Sequence, residues 1–547
     1  MKITLILSLS IQQLHHVSAY VTSGLPGHKH RAWLKKMTTD ICQLPPGELT
    51  PQECVTTPLL LSAWAQNPWI PYNSKTAPSN HVDLSSTSPS PTNTETTATD
   101  KTYININQVY PHHGKECALA CEQLLKRLID ERRAGNKNAI ANTQTYNALI
   151  DVWSKSGEKG AAAQRAEEII IGMQDAYAAG ETEVQPDVES FRLALRSWAQ
   201  ARGEVKAPHR AQQILEWMTQ LYESGENELV EPDAECFDIV LHTWALSNHP
   251  EAPHRIEELI MYMDKLSQNG NDRARPTRFS FNQVLTAWSK VGTPVAAQRA
   301  HDILNHMRHI GKTNNWDLTP NIVSYSSVIL AWCRSKDEDR GRKAERVLKV
   351  AEKHARKSGD EVIRLDNVVY NLVIDAHAKS SSNKAHHRAR AVLDRLIGQY
   401  NNGVKRCRPD VYSFSSVLSS CSNLSGSKRE RQNAFTIAQS TFDEMIRFGV
   451  NPNHVSYGVM LKACARLIPT GKERRKFVNE YFKAACRDGC VGRMVMDRLK
   501  DASSKVQYEA LLKGVDENNL PAEWIANVPK NEGYRRGNGN SRNTSSR

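Results

Sequence analysis

Eight times between residues 146 and 464 this chain repeats one phrase, and the repetition constrains its fold more than any other feature. An aromatic residue is followed by apolar residues three and four positions on, and usually by a Trp seven on. The aromatics are Tyr146, Phe191, Phe237, Phe281, Tyr325, Tyr370, Phe414 and Tyr457, separated by 43 to 46 residues. The seventh-place residues are Trp153, Trp198, Trp244, Trp288, Trp332, His377, Cys421 and Cys464. A fixed period of this length belongs to stacked supersecondary units, not to one globular core. The expected fold is all-α, an α-solenoid (superhelix) of stacked helix-turn-helix repeats. Such a stack offers an extended surface to an extended ligand.

The first repeat shows the physical basis. Tyr146, Leu149, Ile150 and Trp153 fall at i, i+3, i+4 and i+7, one face of a helix. A break at Gly157 follows, as at Pro294 further on. A second helix then carries QRAEEIIIGM, matched later by HRAQQILEWM, HRIEELIMYM, QRAHDILNHM and HRARAVLDRL. Ala166, Ile169, Ile170 and Met173 form its apolar stripe, and the small Ala admits a close partner. Neither helix can hide its stripe alone, so neighbouring repeats must stack. Units close on Pro and a short polar residue: Pro186-Asp187, Pro232-Asp233, Pro276-Thr277, Pro320-Asn321, Pro409-Asp410 and Pro452-Asn453; Leu365-Asp366 lacks the Pro. The Pro disfavours helix in the residue before it, and the polar residue caps the next helix.

Charge and cysteine content narrow the partners. Net charge is +12 with a pI near 9.1, a balance that favours polyanions through release of their counterions. The 11 Cys are odd in number, and Cys333, Cys421 and Cys464 occupy apolar repeat positions. They read as buried reduced thiols, not a disulfide framework. Cys117 and Cys121 are four apart, as are Cys486 and Cys490, with His112 and His113 near the first pair. No second ligand pair of matching spacing accompanies either, so no metal site and no cofactor are expected.

The ends differ from the array. Residues 1–45 read as a targeting presequence: Lys2, the apolar run ITLILSLSI, and small residues before a cut after Ala19. The run is too short to span a bilayer, so no membrane span is expected in the mature protein. The following segment is basic and hydroxylated, with no acidic residue before Asp40. This order resembles the two-part presequence of plastids acquired by secondary endosymbiosis, with Tyr20 where Phe is usual. A plastid location is therefore favoured and a mitochondrion is the alternative; the first Arg is Arg31, late for a mitochondrial presequence. Residues 46–72 have no assigned role. Residues 73–102 form a Ser/Thr/Pro-rich disordered linker. Residues 103–141 read as a degenerate capping repeat, 142–468 as the array, 469–515 as C-terminal capping helices, and 516–547 as a disordered tail.

The order TYNALIDVWSKSG, RAEEII, Met and Pro-Asp resembles the pentatricopeptide repeat family over roughly residues 142–468. Tetratricopeptide repeats are the related alternative, but they do not close on Pro-Asp before an aromatic-Asn helix start. The period departs from the family's usual length of about 35 residues, with extra residues between the helices and after the second helix. The resemblance implies single-stranded RNA as ligand, about one base per repeat. It also implies base reading by the residue after the aromatic together with the next repeat's cap. Carried over, these are Asn147 with Asp187, Arg192 with Asp233, Asp238 with Thr277, Asn282 with Asn321, Ser326 with Asp366, Asn371 with Asp410, and Ser415 with Asn453. The implied string is U, two unassigned positions, a pyrimidine, G, U and A. The resemblance further places Lys155, Lys290, Arg334, Lys379 and Arg466 near phosphates. Arg165, Arg210, Arg255, Arg299 and Arg388, at second-helix starts, read instead as packing or inter-repeat pairing, and the Trp series as core.

No catalytic constellation emerges. The tail holds no carboxylate cluster of the kind a metal nuclease uses, and no His-x-Glu with Cys-x-x-Cys of the kind a deaminase uses. The expectation is a non-enzymatic organellar RNA-binding protein acting in RNA processing, stabilisation or translation. RNA-processing or ribosomal proteins are further candidate partners. The alternative is a protein-binding scaffold without base readout.

Overall fold

A computed structural model describes residues 36–44, 49, 57, 61, 113–313, 318–358, 363–517 and 519–529. The presequence lies outside the described residues except for 36–44. The linker over 73–102 and the chain beyond 529 lie wholly outside them. The described residues are helical, with no strand among them. The chain divides into two compact units, Met1–Pro276 and Thr277–Arg547.

The first unit holds α1 (His113–Arg133), then three helix pairs: α2 (Thr143–Ser154) with α3 (Lys159–Ala178), α4 (Val188–Gln200) with α5 (Ala207–Glu223), and α6 (Ala234–Leu246) with α7 (Ala252–Gln268). First helices pack side by side, α2 on α4 and α4 on α6. Each of the second helices α3 and α5 packs on the first helix of its own repeat and of the next. That is how a stripe too wide for one hairpin becomes covered.

The second unit repeats the scheme. Its pairs are α8 (Arg278–Val291) with α9 (Pro294–Thr313), α10 (Ile322–Arg334) with α11 (Arg340–Ser358), α12 (Asn367–Ala378) with α13 (Ala385–Asn401), α14 (Val411–Ser422) with α15 (Lys428–Arg447), and α16 (His454–Leu467) with α17 (Lys472–Arg487). Two shorter helices, α18 (Arg493–Ala502) and α19 (Lys505–Leu512), close the stack. α18 lies on α16 as successive first helices do.

Apart from the half-buried Tyr146, the aromatics and the Trp series form the core: Phe191, Phe237, Tyr325, Tyr370, Phe414 and Trp244 are fully buried. Each such side chain contributes about 1.5–3 kcal/mol or more by leaving water. The indole N–H groups also find partners one helix back. Trp153 donates to Glu122 at 3.0 Å, Trp198 to Glu167 at 3.3 Å and Trp244 to Gln212 at 3.0 Å. The same acids take the second-helix arginines of the next repeat: Arg165 Nε meets Glu122 at 2.6 Å, and Arg210 meets Glu167. These arginines thus pair between repeats. Arg255 bonds within its own helix, to Glu251 and Glu258.

The long period has a structural account. Residues after the second helix form short 3-10 turns at Thr182–Val184, Glu228–Val230, Asp272–Ala274 and Lys405–Cys407. Each turn buries one small or apolar side chain: Val184, Val230, Ala274 or Cys407. Residues 519–529, in the segment expected to be disordered, are ordered. A turn at Ala522–Ile525 folds back, Val491 N donates to Trp524 O at 2.8 Å, and the Trp524 ring sits 5.7 Å edge-on from Phe482. Trp524 supplies an apolar anchor that polar composition concealed.

Candidate nucleic-acid interface

Each first helix of the array begins at its capping residue. Asp187 has extended backbone, φ −118°, and its carboxylate accepts from Ser190 N at 2.8 Å. Such a cap stabilises its helix by about 1 kcal/mol. Asn142, Asp187, Thr277, Asn321, Asp410 and Asn453 form reciprocal capping boxes with a Thr or Ser three residues on. Ser190, Ser280, Ser324, Ser413 and Ser456 in those boxes are fully buried.

These boxes also position the side chains of the preceding repeat. Asn147 Nδ2 donates to Asp187 Oδ1 at 3.1 Å, and Ser190 Oγ donates to Asn147 Oδ1 at 2.6 Å. A carboxylate only accepts, so the atom of Asn147 facing Asp187 must be its nitrogen. The arrangement recurs. Asn371 Nδ2 donates to Asp410 Oδ1 at 3.2 Å and Ser413 Oγ to Asn371 Oδ1 at 2.6 Å. Asn282 Nδ2 donates to Asn321 Oδ1 at 3.3 Å and Ser324 Oγ to Asn282 Oδ1 at 2.7 Å. Each network uses one of the amide's two N–H groups and one of its oxygen's two lone pairs. The complementary donor and acceptor match a base edge. Ser415 Oγ meets Ser456 Oγ at 2.9 Å beside the cap Asn453. Sequence spacing relates residue to cap but leaves out this buried third member. Its signal, a Ser or Thr three residues after the cap, was in plain view.

Other pairs behave differently. Ser326 Oγ turns to Val323 O on its own helix at 3.1 Å, while Asp366 caps α12 through Val369 N at 3.1 Å. Asp238 is half-buried on α6 in the first unit, and Thr277 caps α8 in the second. Arg192 is enclosed by carboxylates. Its Nη2 lies 2.7 Å from Asp233 Oδ2, its Nε 3.2 Å from Glu235, and its Nη1 on Glu189. Burial raises the Asp233 pKa, but the Cys236 N–H and then Arg192 outweigh it, so the carboxyl stays below its ordinary value.

A second row was also missed. Three residues before Asn282, Ser326, Asn371 and Ser415, one helical turn away, stand Phe279, Val323, Val368 and Tyr412. They are 46%, 44%, 55% and 53% exposed, although they are large and apolar. Their spacing follows the repeat.

The proposed phosphate cations fall into two kinds. Lys155 and Lys379 sit on carboxylates of their own helices, Asp151 at 2.6 Å and Asp375 at 2.7 Å. Lys290 and Arg334 instead crowd each other: burial, then the Arg334 guanidinium, push the Lys290 ammonium below its ordinary pKa. Burial, then Arg498 and Arg466, do the same to Lys462. Arg466 Nη2 reaches Ser425 Oγ at 3.2 Å. The buried thiols of Cys421 and Cys464 are pushed up to about 12, mainly by desolvation, and so stay protonated. Among the described residues no group of three or more His, Cys, Asp or Glu could hold a metal ion, and no helix is long and apolar enough to cross a membrane.

No protein-family model matches the chain, and no curated protein matches it. Among solved structures it is similar to the pentatricopeptide repeat protein PPR10 from maize, at 15% identity and a TM-score of 0.43, over 77% of this chain and 55% of that one. It is also similar to PPR10 in complex with an 18-nt psaJ RNA element, at 14% identity and a TM-score of 0.32, over 76% of this chain and 63% of that one. The chain therefore spans less than two thirds of the length of these proteins.

Proposed function

We propose that this chain binds single-stranded RNA as a pentatricopeptide-type repeat protein, reading bases through Asn282, Ser326, Asn371 and Ser415 with the caps that follow them. The observation that carries this reading is the amide network typified by Asn371, Asp410 and Ser413. A structural cap needs no amide from the preceding repeat. Here three repeats supply one, each oriented by a buried serine. The exposed apolar row offers surfaces on which unpaired bases stack, and Lys290, Arg334 and Arg466 supply charge for phosphates. Of the implied string, the pyrimidine, G, U and A that fall to these four pairs are the expected target. The presequence of residues 1–45 makes a plastid the proposed destination, and processing, stabilisation or translation of a transcript the proposed role.

The test is crosslinking and sequencing of RNA bound to the purified chain at moderate salt. A short enriched motif that changes when Asn282 or Asn371 is replaced supports sequence readout. Binding of RNA regardless of sequence reduces the array to a basic surface. A chain that retains no RNA and captures proteins instead is a scaffold, and the proposal fails.

A further inference from the structure

The two units carry opposite charge. Residues 1–276 hold 25 Lys and Arg against 33 Asp and Glu, a net of −8, whereas residues 277–547 hold 46 against 26, a net of +20. The whole chain's excess of positive charge thus resides in the second unit. The row one turn before the reading residues divides at the same place. In the second unit it reads Phe279, Val323, Val368, Tyr412 and Val455, the last half-buried against the core; in the first it reads Gln144, Glu189 and Glu235. Every reading pair from Asn282 to Asn453 has an apolar residue of this row on the helix that carries its reading residue and on the helix that its cap begins. No pair of the first unit has two.

The Arg192 position shows what the acidic row does. Glu189 and Glu235 are both members of it, and both bind the guanidinium that stands where the amide stands in other repeats. Asp233, the cap, takes the remaining side at 2.7 Å. Arg196 binds Glu235, and Arg273 lies 3.9 Å from Glu231 and 4.0 Å from Asp233. The terminal nitrogens of Arg192 that would meet a base already meet carboxylates, and the paired cluster offers a phosphate backbone no net positive charge.

Resting on the RNA-binding reading above, we propose that base readout is confined to the second unit, from Asn282 to Asn453, a footprint of four consecutive nucleotides. The first unit carries a closed, ion-paired face that leaves the RNA unread. The amide of Asn147 is then a structural remnant of the repeat pattern, held by Asp187 and Ser190 but lacking an apolar neighbour to stack a base.

The test uses the full chain and a random-sequence pool of short single-stranded RNA carrying 4-thiouridine. Crosslinked peptides are mapped by mass spectrometry, and affinity is measured for substituted chains. Expected are crosslinks within residues 277–467, a loss of about tenfold for Asn282→Ala or Asn371→Ala, and a change within about twofold for Asn147→Ala or Arg192→Ala. The combined change Arg192→Asn, Glu189→Val and Glu235→Val should add one position of base preference that the natural chain lacks. Crosslinks to the first unit, or an Asn147→Ala loss as large as that of Asn371→Ala, overturn the confinement while leaving RNA binding intact. Absence of RNA binding by the unsubstituted chain overturns both.

Discussion

The indole nitrogen of Trp198 donates to Oε2 of Glu167 at 3.3 Å, across 31 residues of sequence. The same carboxylate receives Arg210 from the second helix of the next repeat. One side chain therefore ties a first helix and a later second helix to the repeat before them. Glu167→Ala should lower stability to urea by about 1–3 kcal/mol, because a buried indole N–H loses its acceptor. Glu167→Gln keeps an acceptor for Trp198 and should recover part of the loss. Equal losses in both variants would place the effect on the Arg210 ion pair alone.

Ser413 should act on discrimination more than on affinity. It fixes the Asn371 amide oxygen at 2.6 Å; without its hydroxyl the amide can rotate and present either edge. Ser413→Ala is expected to reduce the preference for the matched base by up to about tenfold, with a smaller change in binding to a mixed pool. Ser413→Thr keeps the hydroxyl and should restore the preference. Binding to RNAs that differ at one base reads the effect, and an unchanged preference in Ser413→Ala removes the serine from any positioning role.

Salt dependence should report the Lys290 and Arg334 pair. Each phosphate neutralised on a single strand contributes a slope of about −0.7 in log K against log salt. Lys290→Gln and Arg334→Gln should each make the slope shallower by about that amount. Lys155→Gln, in the first unit and already paired with Asp151, should leave it unchanged.

Acid should weaken the fold through His386. Burial, then the neighbouring His387, push its pKa down to about 4, so the folded chain keeps it neutral where the unfolded chain would protonate. Its stabilising contribution is present above the ordinary pKa of about 6.5 and is lost as pH falls from there towards 4. His386→Gln should flatten the stability curve across that window. A curve of the same shape in both proteins refutes the assignment.

Gly341 should not tolerate a side chain. A Cβ built there would lie 2.4 Å from His377 Nδ1 and 2.9 Å from the His377 Cα. His377 occupies a seventh-place core position and is itself buried. Gly341→Ala should cost about 1–3 kcal/mol through overpacking, and the additional change His377→Ala should recover only the part due to the imidazole ring, because the 2.9 Å approach to the His377 Cα remains. Unfolding midpoints of the single and double variants decide the point.

The helix pairs, the buried Trp series and the caps were legible because each depends on residues within one or two turns of each other. The buried third member of the site was not. Ser190 and Asn147 are 43 residues apart: the serine three residues after the cap is visible in the sequence, but its bond to the preceding repeat is not. Exposed Phe279 and Val323 gave no signal alone, since single apolar side chains are common on surfaces. The closure around Arg192 required Glu189, Asp233 and Glu235 to converge from two helices. Sequence spacing showed a residue at a reading position, but only the stacked helices show its donors occupied.

The dual use of the caps bears on how such a chain changes over generations. Asp410 starts a helix and also holds the amide of Asn371, so its replacement is felt first as a folding defect and only then as altered recognition. Asn371 caps nothing. New targets should therefore arise mainly by exchange at the amide positions, against a cap that folding keeps nearly constant, and divergent copies of this gene should vary more at one member of each pair than at the other.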